Sequence, residues 1–193
     1  MTRYELYLAV HLVSAMVWLG AGFLMAVLGT RAWRARDPER CAALARDSEW
    51  LGLRLFVPSS LLVLVAAVLL MHEGGWRYDA AWVWPALVGF GLSTAFGVLV
   101  FGPGWARAVA LAEHEGAGAP AFRAGLRRLL VVSWLDVGLL LAIVLLMVAK
   151  PTGDDAAVLA LAAALPLAAC SAGLALVRAG GTIQSGAAPA ERV

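Results

Sequence analysis

Five long apolar runs, residues 6–29, 50–72, 81–102, 129–149 and 156–177, alternate with short polar segments along the chain. Each holds 21 to 24 residues, which at about 1.5 Å of helical rise per residue crosses the roughly 30 Å hydrocarbon core of a bilayer. The runs are continuously apolar instead of alternating over about ten residues. A chain in lipid must also satisfy its backbone hydrogen bonds internally, so the pattern predicts helices and not a membrane barrel. The fold expected is an all-α integral membrane bundle of five transmembrane helices, one domain over 1–179, with a small, polar tail from 180 to 193 read as disordered. The first run exceeds a signal-peptide core of about 7–15 residues and is read as a retained helix. Gly29-Thr30, Gly102-Pro103-Gly104 and Lys150-Pro151 stand as helix stops, because proline cannot continue a helix. No internal repeat is recognised.

Composition agrees with this picture. The chain of 193 residues is 62% hydrophobic and 15% charged, against roughly 45–50% and 25% in soluble domains. Of its 15 basic and 13 acidic residues, Arg54 and Asp136 alone fall inside the five runs. The basic residues outside them segregate. Eleven lie in the 31–49 and 103–128 loops and the C-terminal segment, and three (Arg3, Arg77, Lys150) on the opposite side. By the positive-inside rule the N-terminus is expected outside and the C-terminus in the cytoplasm. A formal charge of +2 with scattered arginines gives no nucleic-acid footprint, and two cysteines, Cys41 and Cys170, give no disulfide framework. Asp37-Pro38-Glu39 reads as a helix start, so residues 40–49 are expected to run as a charged helix into the second span. Residues 105–114 are expected to form a short interfacial helix.

Few residues are left to carry chemistry. His11 lies inside the first run, on a helical face with Tyr7, Ser14 and Trp18. A neutral imidazole at membrane depth suits heme iron or copper, and it equally suits a hydrogen bond to a neighbouring helix. His72 ends the second run on the same side of the membrane, which makes a two-histidine site conceivable. His114, between two glutamates, reads as a solvated loop residue. Arg54 and Asp136 lie at similar depth, and a structural ion pair between them would offset the cost of each, about 2.5–3.5 kcal/mol at helix centre. Arg54 could instead snorkel, or anchor a propionate. Small residues at Gly89, Ser93 and Gly97 read as helix packing. No Walker loop, dinucleotide fingerprint, nucleophile elbow or zinc-protease motif is present, and no catalytic residue is assigned.

Four features, in order, resemble a bacterial integral membrane family of unknown function: His11 followed by Trp18-Leu19-Gly20, Arg54-Leu-Phe-Val-Pro58, Gly102-Pro103, and Met147-Val-Ala-Lys150-Pro151. The resemblance covers about residues 4 to 152 and implies a multi-pass protein of the bacterial plasma membrane. More distantly, the first helix is similar to those of heme-binding membrane protoporphyrinogen oxidases and copper-resistance D-type domains. That likeness implies His11 as a heme or metal ligand. The leading expectation is therefore binding of heme b or a metal such as copper through His11, with His72 and Arg54 assisting, for electron transfer or metal handling. The alternatives are a non-enzymatic scaffold or partner subunit and, less favoured, a small-solute transporter using Arg54 and Asp136. The partners expected are the lipid bilayer and a second copy or another membrane protein.

Overall fold

The computed structural model describes residues 1–180; the expected tail from 181 onward lies outside the described residues. The elements are α1 (Arg3–Ala35), α2 (Pro38–Leu51), a π turn (Gly52–Phe56), α3 (Val57–Glu73), α4 (Val83–Phe96), a second π turn (Gly97–Phe101), α5 (Gly102–His114), α6 (Pro120–Ala149) and α7 (Ala156–Ala179). No strand occurs among the described residues. Because both π turns are continuous with their neighbours, five helical rods result, each long and apolar enough to cross a membrane. The all-α five-span class holds.

Local sequence sets the ends. Thr2 and Glu5 form a reciprocal capping box at the start of α1. At its end Arg36 turns left-handed, with φ 54°. The Asp37 carboxylate caps α2 by accepting from the Arg40 backbone N–H at 3.0 Å, and Pro38 opens the helix where a missing N–H costs nothing. The charged helix expected before the second span is therefore present, and so is the short helix after the third.

Two of the expected helix stops fail. Gly29 and Thr30 lie inside α1, which runs a further turn and a half to Ala35. The Thr30 hydroxyl bonds back to the Ala26 carbonyl at 2.7 Å, so its polar group does not break the helix. Nor does Pro103 end the third rod. Gly52-Leu-Arg-Leu-Phe-Val-Pro58 and Gly97-Val-Leu-Val-Phe-Gly-Pro103 share glycine, phenylalanine and proline at the same spacing, and each contains one π turn. Proline has no N–H to donate and its ring crowds the carbonyl four residues back. The chain answers by widening: the Val57 N–H reaches the Gly52 carbonyl and the Gly102 N–H reaches that of Gly97, five residues back in each case.

α1 pairs mainly with α3, α4 with α6, and α6 most extensively with α7. Gly138 of α6 lies against the backbone of Leu165 and Pro166, and Gly173 of α7 accepts the flank of Trp134. The densest apolar cluster is not in the middle of the spans. It lies at the arginine-rich end, where α1, α2, α5, α6 and α7 meet around Phe122, Leu126, Leu130 and Val177, each 1% exposed. The Trp33 indole N–H closes this end by donating to the Val177 carbonyl at 2.9 Å. Elsewhere many large apolar side chains of α1, α3 and α4 face outward, as lipid-facing residues should.

Candidate functional site

His11 projects from α1 onto α3. Its Nδ1–H donates to the Val63 carbonyl oxygen at 3.1 Å. Only a protonated ring nitrogen can bond to a carbonyl, so this contact fixes the tautomer and leaves the Nε2 lone pair uncommitted. Two helical turns along α1, Trp18 meets Phe90 of α4 edge to face, with centroids 5.4 Å apart. The face read from sequence thus points into the bundle, and its partners are α3 and α4.

His72 does not join His11. It is exposed at the end of α3, nine residues beyond Val63. That separation is about 13 Å along the axis and half a turn around it, so the two-histidine site is not assembled within one chain. His114 is exposed and bonds back to the Ala110 carbonyl at 2.9 Å.

The expected ion pair is corrected too. Among the described residues the ion pairs are Asp37–Arg40 and Arg77–Asp79, and Arg54 and Asp136 do not meet. Arg54, within the first π turn, is exposed, with its guanidinium carbon 4.9 Å over the Trp50 ring. It turns to the arginine-rich rim as a snorkelling side chain does. Asp136 instead turns inward toward α4, on the side of α6 shared with Leu139 and Ile143, which cover Gly89. Its Oδ1 is buried without a hydrogen-bond partner. The side chain facing it within reach is Ser93, itself 3% exposed and also without a closed hydrogen bond. Depth was readable from hydropathy, but rotation about each helix axis decided which groups meet.

Several polar contacts carry no obvious signal in sequence. The Trp134 indole N–H donates to the Thr30 hydroxyl at 2.9 Å, joining α6 to α1. Lys150, in a left-handed conformation with φ 45°, places its ammonium 3.8 Å from the Trp76 ring centroid and 5.9 Å from that of Trp82. Arg123 stacks on Trp33 beside a small cleft that also borders Arg36, Asp37 and Cys41. Burial pushes the Cys41 thiol above its ordinary pKa, and the nearby Asp37 carboxylate adds to the shift.

No group of three or more metal-ligating His, Cys, Asp or Glu side chains occurs among the described residues. A multi-donor ion site is therefore not built within these residues, whereas His11 offers one directed nitrogen. No curated protein and no solved structure matches the chain, so the likeness to heme- and copper-handling proteins is not shown. The profile of one family, described as "Predicted integral membrane protein (DUF2269)", matches residues 5–151. Spanning α1 to α6 except the first two residues of α1, that match shows that the chain belongs to this DUF2269 family of integral membrane proteins.

Proposed function

We propose that the protein binds heme b through His11 and serves electron transfer at the membrane. The observation that carries the reading is the bond from His11 Nδ1 to the Val63 carbonyl. An imidazole that ligates a metal almost always donates its other nitrogen to a carbonyl or carboxylate, which fixes the ring and raises its basicity. A porphyrin supplies four of its iron's ligands, so a single histidine per chain suits heme better than a bare copper or zinc ion, which needs three or four protein donors. When bound, heme would supply one-electron chemistry. The chain would supply the axial nitrogen, its orientation, and an apolar surround. His72 and Arg54 take no part in this reading.

The orientation that goes with it has the N-terminus outside and the arginine-rich end in the cytoplasm of a bacterial inner membrane. Its support is the eleven-to-three basic asymmetry. The test is the visible spectrum of the detergent-purified protein after heme supplementation. A Soret band is expected, and His11→Ala should abolish or shift it. A protein that stays colourless would overturn the heme reading and leave a scaffold or partner subunit. A band indifferent to His11→Ala would overturn the ligand assignment.

A further inference from the structure

We propose that Asp136 and Ser93 form a proton-binding site inside the membrane, with the Asp136 carboxyl carrying the proton and the Ser93 hydroxyl facing it from the neighbouring helix. The hydroxyls show why this pair is different. Thr30, Ser59 and Ser133 each donate to a carbonyl four residues back, at 2.7, 2.6 and 2.9 Å, the usual way for a hydroxyl within a helix to be satisfied. Ser93 does not. Its Oγ is buried and free, and across the α4–α6 interface the Oδ1 of Asp136 is buried and free as well. Two orphaned polar atoms facing each other are rare in a folded interior, and each calls for an explanation.

Among the described residues the surroundings offer no countercharge. Val83–Phe96 of α4 contains no titratable residue, and α7 from Ala156 to Val177 contains only Cys170. α1 between Leu6 and Thr30 contains only Tyr7 and His11, and the His11 ring is held by α3. α5 meets α6 at Leu129, against Gly104, about 10 Å along the axis from Asp136. Its Arg107, Glu113 and His114 lie further out still. Arg54 is turned to the rim. A metal cation would need more oxygens than one carboxyl and one hydroxyl supply, since hard cations take about six. A proton needs one. Gly89, against Ile143 and Leu139 of α6, lets α4 approach closely one turn from Ser93, so part of the stripe that reads as packing also shapes the site.

The test is infrared spectroscopy of the purified full chain at neutral pH, with and without carboxyl-labelled ¹³C-aspartate. The other acidic residues all lie outside the apolar runs, and the label together with Asp136→Asn assigns the band. The expected result is one protonated-acid carbonyl band that shifts with the label, disappears in Asp136→Asn and moves to higher frequency in Ser93→Ala, where the protonated carboxyl no longer has a hydroxyl to bond to. If Asp136→Asn does not fold, the labelled wild-type band and the Ser93→Ala shift decide the matter. Absence of a protonated-acid band, its persistence in Asp136→Asn, or its replacement by carboxylate on adding sodium would each overturn the proposal. A band unmoved in Ser93→Ala would remove Ser93 from the site.

Discussion

Replacing Gly138 by alanine should loosen the α6–α7 pair far more than one methyl group suggests. A Cβ built there would stand 2.7 Å from the Leu165 carbonyl oxygen, the Pro166 Cα and the Ala169 Cβ. None of these is the flexible end of a side chain. Ordinary contact begins near 3.4 Å, so the helices must part by about 0.7 Å along their tightest seam. Overpacking of this kind costs about 1–3 kcal/mol, and alanine's better helix propensity returns at most about 1 kcal/mol. At about 2–4 °C per kcal/mol for a chain of this size, the melting temperature in detergent should fall by several degrees. Cys41 is a buried free thiol, so a thiol-reactive fluorogenic dye reads the transition as it becomes exposed. Gly20→Ala is the control, because nothing lies within 4 Å of a Cβ there, and it should melt at or slightly above wild type. The reasoning fails if Gly138→Ala melts no lower than Gly20→Ala.

Three further outcomes follow from the packing and the caps. Thr30→Val should cost about 1 kcal/mol, since the Trp134 indole N–H, at a part-buried contact, loses its acceptor. The same melting assay checks it, and Trp134→Phe in that background should add little. Phe122→Ala removes the largest of the fully buried side chains in the arginine-rich core and should cost about 3–5 kcal/mol. A loss under 1 kcal/mol would mean that this cluster is not a true core. Asp155 is held below the usual carboxylate range by the Thr152 backbone N–H and hydroxyl. Its contribution is therefore present at neutral pH and disappears as the pH falls below the ordinary Asp value of about 3.9. The difference in melting temperature between wild type and Asp155→Ala should shrink to nothing over that acid range.

The spans were legible because hydropathy reports depth: four of the apolar runs lie wholly within helical rods, and the third, 81–102, begins two residues before its rod at Val83. The start of α2 at Asp37-Pro38 was legible because a cap is a local interaction. Azimuth was not. Arg54 and Asp136 share a depth but look in different directions, and the π turn that carries Arg54 shifts the phase of its helix by an amount no regular helical wheel anticipates. The repeated glycine, phenylalanine and proline spacing was the available signal for both π turns. It was hidden because each proline looks by itself like a stop or a kink. For His11, sequence named the residue but could not choose between ligand and helix contact. The structure supplies the helix contact, which is also the second-sphere partner that a ligand would require.

The clasp between Trp33 and Val177 joins positions 144 residues apart, and it bears on how the protein is made. α7 lies beyond the stretch that defines the family, yet it is the main partner of α6 and closes the core to which α1, α2 and α5 contribute. During synthesis the first four rods can insert in turn, but their arginine-rich end stays open until the fifth emerges from the ribosome. Completion of that end thus reports that α7 has joined the rods before it. A chain truncated before α7 would leave the Trp33 indole N–H without its acceptor and the flank of Trp134 without Gly173 against it.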